Sequence, residues 1–248
     1  MAEKLKYFVN GQFRESKTDK WYDLHNPSTG EITGQAPCCT NDEVLEAIAA
    51  AKAAYPGWSA TPAIKRAQIL YRVRELILER MDELTMSVAK ENGKVWAESE
   101  GDVLKAKEGT ELATQVPSLM MGESIMDASR GYDTVKYREP LGVFAGIVPV
   151  NFPAMIPFGW MAPTCIAAGN TLVLKAASLT PKTAMLFAQL YKDAGVPDGV
   201  INVVTCSRNE INTILEHPDV KGITFVGSTP VGLKIYEKAA ANRSEERR

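Results

Sequence analysis

GVFAGIVPVNFP, residues 142–153, begins with a continuous apolar run, which is the pattern of a strand buried on both faces. Residues 171–174, 200–205 and 222–226 predict three more strands of the same kind. The segments between them have the period of a helix, and we predict helices that open at Pro153 and that span residues 182–194, 209–216 and 230–240. Buried strands that alternate with amphipathic helices imply right-handed crossovers. The fold class is therefore predicted to be α/β, with a doubly wound parallel sheet.

The first 140 residues have a different organisation. An apolar run before Asn10-Gly11 predicts a hairpin, because both residue types accept a positive φ. Helix boundaries are indicated by a capping box at Thr40 and Glu43, a start at Thr61-Pro62 and a stop at Asn92-Gly93. A third helix is predicted over residues 97–115, and residues 124–140 predict a polar hairpin or arm. We divide the chain into residues 1–123, 124–140 and 141–248.

Composition excludes several classes of protein. The 248 residues contain 28 Lys plus Arg and 30 Asp plus Glu, and the sequence pI of 5.9 is not that of a nucleic-acid binder. The longest apolar stretch is shorter than a membrane span requires, and the charged N-terminus lacks a signal peptide. Four cysteines and two histidines argue against a disulfide framework and against a metal site. We expect a reduced, soluble, cytoplasmic protein.

Ligands of an open parallel sheet bind beyond the carboxyl ends of its strands, and three strand ends carry suitable residues. Asn151 follows the first strand, where its amide could donate a hydrogen bond to a substrate oxygen or could cap the next helix. Lys175 ends the second strand and Ser178 follows it. A lysine with a small hydroxyl suits a phosphate, although a solvated lysine at a strand end would look the same.

The third strand end is a turn of small residues, Gly227 and Ser228, that runs into a helix. Backbone N–H groups and the helix dipole at such a turn favour an anion such as a pyrophosphate, but a capped helix requires similar residues. The glycine-rich fingerprint Gly-x-Gly-x-x-Gly does not follow the first strand, because Gly142 and Gly146 lie within the strand itself. A standard dinucleotide-binding dehydrogenase is therefore disfavoured.

Together these features resemble one family. The chain is similar to the N-terminal half of the aldehyde dehydrogenase superfamily and, within it, to the methylmalonate- or malonate-semialdehyde dehydrogenases. The motifs that carry the resemblance are VNG at 9–11, NP at 26–27, TG at 29–30, ENGK at 91–94, PSLMMG at 117–122, NFPAMIP at 151–157, AGVPDG at 194–199, NVVT at 202–205, HPDVK at 217–221 and FVGSTPVG at 225–232. The resemblance implies a Rossmann-like coenzyme-binding domain, with the catalytic domain absent from the chain and residues 124–140 forming part of an oligomerisation arm.

The resemblance also assigns roles to residues. Asn151 matches the oxyanion donor of the family, and Lys105 stands where semialdehyde-specific members carry an arginine for the substrate carboxylate. The coenzyme-binding positions are Ile147, Val148, Pro149, Lys175, Ser178, Gly227 and Ser228. Ser178 replaces the glutamate common in NAD-preferring members, so the pair with Lys175 slightly favours NADP over NAD. Coenzyme A or water would accept the acyl group in a complete enzyme, which we expect to be a homo-oligomer.

The catalytic cysteine of the family lies in a Gly-Gln-x-Cys context, which none of the four cysteines here has. Cys165 is predicted to be core, Cys38 and Cys39 to lie in an exposed segment, and Cys206 to follow a strand where the family has glycine. We therefore expect the chain alone to be inactive as a dehydrogenase. Two alternatives remain, which are a non-catalytic nucleotide-binding or assembly module that acts with a partner chain, and a redox or esterase-like activity of Cys206.

Overall fold

In the computed structural model, which describes residues 3–242, strands and helices alternate from residue 143 onward as the sequence predicts. The strands are β1 (Tyr7–Val9), β2 (Gln12–Arg14), β3 (Trp21–His25), β4 (Ile32–Pro37), β5 (Glu123–Ser129), β6 (Tyr132–Lys136), β7 (Val143–Ile147), β8 (Thr171–Lys175), β9 (Ile201–Val204) and β10 (Val220–Phe225). The helices are α1 (Asn41–Ala60), α2 (Ala63–Glu79), α3 (Met81–Asn92), α4 (Trp96–Ala113), α5 (Val116–Leu119), α6 (Ala162–Ala167), α7 (Lys182–Asp193), α8 (Arg208–Glu216) and α9 (Thr229–Ala241). A π-helical turn, Ile156–Met161, precedes α6.

The central sheet has the strand order β10-β7-β8-β9-β1-β2. The four strands β7 to β10 are parallel, which confirms the predicted sheet and the α/β class. β1 and β2 extend the sheet with antiparallel pairing, Phe8 lying opposite Val203. The predicted hairpin turn joins them, with φ of 50° at Asn10 and 70° at Gly11. The sheet is therefore mixed rather than wholly parallel.

Helices cover both faces of this sheet. Leu172 and Leu174 of β8 point to the face that carries α6 and α7, with α2 and α4 packed behind, whereas Val173 points to the face that carries α1 and α8. Successive side chains of a strand alternate between faces, so one apolar run fills two cores. This is the three-layer arrangement that buried parallel strands require.

The N-terminal helices depart from prediction in two places. The capping box at Thr40 and Glu43 is present, and Gly93, with φ of 77°, ends α3 as predicted. Thr61 caps no helix, because its hydroxyl donates to the carbonyl of Gly57 at 3.0 Å and α2 begins at Ala63. The helix predicted between these signals is also two helices, since the chain turns at Arg80.

β5 and β6 form a separate hairpin, as the pattern of residues 124–140 predicts. Every residue from 121 to 139 is exposed, so no residue of the hairpin is buried against the rest of the described chain. Within residues 3–242, no helix is both long and apolar enough to cross a membrane. The same residues contain no group of three or more His, Cys, Asp or Glu side chains arranged to hold a metal ion.

Candidate functional site

The carboxyl ends of β7, β8 and β10 meet at one edge of the sheet. Ile147 lies opposite Lys175 of β8 and opposite Phe225 of β10, and the N–H of Val226 donates to the carbonyl of Ile147 at 3.1 Å. The chain runs from β7 to β8 on one side and returns as β10 on the other side of β7. This reversal of strand order is the point where ligands of doubly wound sheets bind.

Side chains of neighbouring elements fix the segment after β7, residues 148–155, and Asn151 within it remains exposed. Asn92 Nδ2 and Thr180 Oγ1 donate to the carbonyl of Val150 at 2.7 and 3.3 Å. Asn151 is exposed, and its amide has no hydrogen-bond partner within residues 3–242. It does not cap the following helix, because the residue before the π-helical turn is Met155. The structure thus removes the predicted capping role, and the role of a donor toward a ligand stays a prediction.

A buried ion pair lies under the same segment. Asp102 Oδ2 is 3.0 Å from Lys94 Nζ, and Asp102 Oδ1 accepts a hydrogen bond from the N–H of Met155 at 2.7 Å. Lys94 Nζ also lies 3.9 Å from the centre of the Phe152 ring, within the range of a cation–π contact. No functional role for Asn92, Lys94 or Asp102 was predicted from the sequence, where Asn92 served only as part of a helix stop signal. Asn92 and Lys94 belong to the ENGK motif at 91–94, and that motif was the available signal.

Lys175 ends β8 in a half-buried position. Burial lowers the pKa of its ammonium, and the nearby thiols of Cys206 and Cys38 act in the opposite direction. It forms no ion pair with a carboxylate of the described chain. Ser178, also half-buried, follows three residues later, before α7 begins. A partly desolvated ammonium without a carboxylate partner is suited to a ribose hydroxyl or a phosphate oxygen.

The turn after β10 is open. Gly227 and Ser228 are exposed, and the hydroxyl of Ser228 makes no capping hydrogen bond to α9. A Cβ on Gly227 would lie 2.5 Å from the Phe225 ring, so a larger residue would displace that ring or the turn. At the start of α9, the N–H groups of Val231 and Gly232 donate to the carbonyl of Ser228 at 3.1 and 2.9 Å, and Pro230 has no N–H. Within the described residues, the uncommitted donors there are the N–H of Thr229 and the hydroxyl of Ser228. Adjacent strands are about 5 Å apart, so the ends of β8 and β10, on either side of β7, are separated by roughly 10 Å.

The side chain of Lys105 pairs within its own helix and not with residues of the three strand ends. It is exposed on α4, and its Nζ is 2.6 Å from Glu108 Oε2, one turn along the same helix. The backbone of α4 approaches the π-helical turn closely, because a Cβ on Gly159 would lie 3.0 Å from the carbonyl of Lys105. The structure thus places the residue on the helix that packs against the Asn151 segment, and its predicted contact with a substrate carboxylate stays a prediction.

The cysteines differ from expectation in burial. Cys38 and Cys39 are buried, not exposed, because the chain after β4 packs on the end of β9, where the N–H of Cys39 donates to the carbonyl of Thr205 at 2.8 Å. Burial raises the thiol pKa to about 12 at Cys39, Cys165 and Cys206. Lys175 lies near Cys206 and lowers its pKa, but burial outweighs it. Cys38 Sγ accepts a hydrogen bond from Tyr22 Oη at 3.4 Å.

These observations describe an edge suited to a dinucleotide, and the nearby thiol of Cys206 has a raised pKa. The sequence profile of the aldehyde dehydrogenase family matches residues 13–246. The chain belongs to the aldehyde dehydrogenase family. The members of this family are oxidoreductases, and the Rossmann-like sheet described above is that of their coenzyme-binding domain.

Individual members of the family are similar over almost the whole of this chain. The mitochondrial methylmalonate-semialdehyde/malonate-semialdehyde dehydrogenase [acylating] of Rattus norvegicus is 43% identical over 96% of the chain and 44% of its own length. A crystal structure of a Sinorhizobium meliloti 1021 protein assigned to methylmalonate-semialdehyde dehydrogenase, complexed with NAD, superposes with a TM-score of 0.95 at 35% identity, over 98% of this chain and 49% of that one. An E. coli NADP-dependent enzyme superposes with a TM-score of 0.93 at 34% identity, over 97% and 50%.

The chain spans about half the length of the curated relatives that it matches. The similarity to the methylmalonate-semialdehyde dehydrogenases supports the sequence-based assignment to an N-terminal half of such an enzyme. Sequence and structural similarity both extend across the candidate edge, since both cover nearly all of the described residues.

Proposed function

We propose that this chain is the coenzyme-binding half of an NAD(P)-dependent semialdehyde dehydrogenase and that the edge formed by β7, β8 and β10 takes the dinucleotide. The single observation that carries the proposal is the convergence of three strand ends at the point where the strand order reverses, with the side chains of Asn151, Lys175 and Ser228 unpaired within residues 3–242. The backbone of residues 147–149 would line the cleft, Lys175 and Ser178 would hold the adenosine ribose, and Gly227 and Ser228 would face the pyrophosphate. Methylmalonate or malonate semialdehyde is the proposed substrate of the complete enzyme, as the names of the relatives suggest.

The residues present fit such a coenzyme, because the strand ends offer a cation, a hydroxyl and a helix N-terminus where its ribose and phosphates would lie. The bound coenzyme would supply a hydride acceptor. The exposed amide of Asn151 would donate a hydrogen bond to the aldehyde oxygen and stabilise the negative charge that develops there. Coenzyme A or water would then receive the acyl group, and Lys105 is a candidate contact for the substrate carboxylate.

We further propose that NADP binds at least as well as NAD. No acidic residue lies between Lys175 and Ser178, so nothing in that stretch opposes a 2′-phosphate, and the Lys175 ammonium attracts it. Among the similar structures, one contains NAD and another is an NADP-dependent enzyme, so both choices occur in this fold.

The test is a calorimetric titration of the purified chain with NADP⁺ and with NAD⁺. We expect saturable binding of both, weakened about tenfold in Lys175→Ala, since a charge-assisted hydrogen bond is lost. Ser178→Glu should reverse the preference toward NAD⁺, while Lys221→Ala, a lysine at the opposite end of β10, should change neither affinity. Absence of binding to both nucleotides in a folded chain would contradict the proposed function.

The chain alone is proposed to be inactive as a dehydrogenase. Cys38, Cys39 and Cys206 are buried and Cys165 is half-buried, and the raised pKa values of Cys39, Cys165 and Cys206 keep those thiols protonated at neutral pH. The same pKa values disfavour a redox or esterase-like role for Cys206. A nucleotide-binding module that acts with a partner chain carrying a reactive cysteine is the second candidate, and it shares the coenzyme site. Turnover of malonate semialdehyde by this chain, lost in Asn151→Ala, would overturn the claim of inactivity.

The exposed hairpin β5–β6 is proposed to be the arm through which copies of the chain associate. Its large apolar side chains are all exposed, namely Ile125, Met126, Tyr132 and Val135, with Tyr137 just beyond β6. Apolar side chains that remain in water on a two-stranded ribbon favour burial against another surface. Sedimentation of the wild-type chain and of Ile125→Ser/Val135→Ser tests this, and a monomeric wild-type chain would contradict it.

A further inference from the structure

Burial of the ion pair between Lys94 and Asp102 carries a large desolvation cost for a contact with only a structural role. The Asp102 side chain is fully buried and that of Lys94 is 14% exposed. Moving two charges out of water costs several kcal/mol per ion, and a buried pair is often no more stabilising than apolar residues of the same volume. Stability alone therefore gives a weak reason for charged residues at these two positions.

Lys94 and Asp102 also contact the segment that follows β7. Both carboxylate oxygens of Asp102 are used, one by Lys94 Nζ at 3.0 Å and one by the N–H of Met155 at 2.7 Å. Lys94 Nζ in turn lies over the Phe152 ring. Two charges from α4 and from the segment before it thus hold residues 152 and 155 of the segment that follows β7.

The other side of Asn151 is held independently. The carbonyl of Val150 accepts hydrogen bonds from Asn92 Nδ2 and Thr180 Oγ1, which come from α3 and from the segment before α7. Asn151 therefore lies between a fixed Val150 and a fixed Phe152. Its own amide has no partner within residues 3–242, so its direction depends on the backbone that its neighbours fix.

We propose that Lys94 and Asp102 are a positioning pair that fixes residues 148–155 and thereby shapes the nicotinamide end of the coenzyme cleft. The proposal rests on the proposed function. A hydride acceptor must lie next to the carbonyl carbon whose oxygen Asn151 binds, so the Asn151 segment borders the nicotinamide ring rather than the adenosine. The pair acts through the backbone, without contact to coenzyme or substrate.

The experiment compares two nucleotides that differ only in the nicotinamide. NAD⁺ and ADP-ribose share the adenosine and pyrophosphate, so a change confined to the Asn151 segment should weaken NAD⁺ and leave ADP-ribose unchanged. In Asp102→Asn and in Lys94→Met we expect the NAD⁺ affinity to fall about tenfold and the ADP-ribose affinity to stay within twofold of wild type. Lys94→Arg keeps the charge and the contact with the ring and should restore NAD⁺ binding.

Lys107→Met is the matched control. Lys107 lies on the same helix, its side chain is 18% exposed, and it forms an ion pair with Glu111 at 3.2 Å, but it makes no hydrogen bond or ion pair with residues 148–155. We expect Lys107→Met to bind both nucleotides with the affinities of wild type. Thermal unfolding of each variant shows whether it is folded at the titration temperature. Asp102→Asn is the milder of the two substitutions, because the asparagine oxygen can still accept from the N–H of Met155.

The outcomes separate the two proposals. Equal weakening of NAD⁺ and ADP-ribose would overturn the positioning role, because the pair would then support the whole domain. Unchanged NAD⁺ affinity in both variants of a chain that binds both nucleotides would overturn the positioning role alone. Failure of the wild-type chain to bind ADP-ribose or NAD⁺ would contradict the proposed function and, with it, the assignment of this segment to the nicotinamide.

Discussion

The two turns that flank the β7–β10 pair differ in how they are held. Residues 148–155, after β7, are fixed by a buried ion pair, by two side-chain hydrogen bonds to the carbonyl of Val150 and by the hydrogen bond that the N–H of Met155 donates to Asp102. The turn at Gly227 and Ser228, after β10, is exposed, and its serine makes no cap. Both turns lead into a helical segment at the same edge of the sheet.

Contacts within the fold fix the segment after β7, whereas few such contacts fix the turn after β10. The segment that carries Asn151 is held by contacts from α3, from Lys94 before α4, from α4 itself and from Thr180 before α7. At the second turn, the carbonyl of Ser228 accepts from the N–H groups of Val231 and Gly232, whereas the Ser228 hydroxyl makes no capping hydrogen bond. α9, which follows that turn, buries only Ile235, so little packing constrains it.

The largest expected effect comes from removing the buried anion beneath the Asn151 segment. Asp102→Ala leaves Lys94 buried without its partner and the N–H of Met155 without an acceptor. We expect a loss of about 3–5 kcal/mol in the free energy of unfolding, measured by urea denaturation. Glu108→Ala removes an exposed pair with Lys105 on the same helix and should cost less than about 1 kcal/mol. Similar losses in both variants would mean that the buried pair has no special part in the fold.

A second expected effect depends on pH and concerns Glu91, in the same ENGK motif. Its carboxylate is buried and accepts from the N–H groups of Lys182 and Thr183 at 2.8 and 3.0 Å, at the start of α7. Burial raises its pKa to about 7, and those hydrogen bonds lower it only in part. Because the folded state then holds the proton more tightly than the unfolded state, the contribution of Glu91 is complete below the unfolded pKa and is lost as pH rises toward 7.

The measurement is the free energy of unfolding of wild type minus that of Glu91→Gln, followed from pH 4 to pH 8. We expect this difference to fall with rising pH, by roughly 3 kcal/mol over the whole range. The glutamine variant has no proton to exchange at this position and serves as the control. A difference that stays constant or that rises with pH would show that the carboxyl pKa is not raised.

The smallest expected effect concerns Ser207 and Ser228, which occupy equivalent positions. Ser207 and Ser228 both precede a helix after a strand, but only Ser207 forms a capping box, with Glu210. Ser207→Ala should cost about 1 kcal/mol in the free energy of unfolding, and Ser228→Ala only a few tenths. If the Ser228 hydroxyl is kept for a phosphate, Ser228→Ala should weaken ADP-ribose binding several-fold while Ser207→Ala does not. The reverse pattern would assign the anion site to α8.

Prediction from sequence succeeded where the signal is local. Apolar runs and helical periods predict β7 to β10 and the helices between them, because each run needs only its own residues to show that it is buried. Asn10-Gly11 and Gly93 were predictable for the same reason, since a positive φ is a property of a single residue. Asn151 could be named as a candidate because it follows a strand, and the structure removes its alternative role as a helix cap.

Prediction failed where burial depends on distant residues. Cys38 and Cys39 follow a proline in a segment that looks polar, yet Thr205, far along the chain, covers them. Asp102 looks like a surface residue of an amphipathic helix, and its burial becomes visible only when α4 packs on residues 152–155. The break at Arg80 lies inside one continuous helical period, so the pattern could not show two helices.

We propose that three strand ends, and not another surface of the chain, take the dinucleotide. Amide hydrogen exchange measured by mass spectrometry, with and without saturating NAD⁺, tests it most directly. We predict slower exchange in the peptides that contain residues 147–151, 175–178 and 226–231, with unchanged exchange in the exposed hairpin of residues 123–136. Protection confined to other segments, or none at saturation, would contradict the assignment of this edge to the coenzyme.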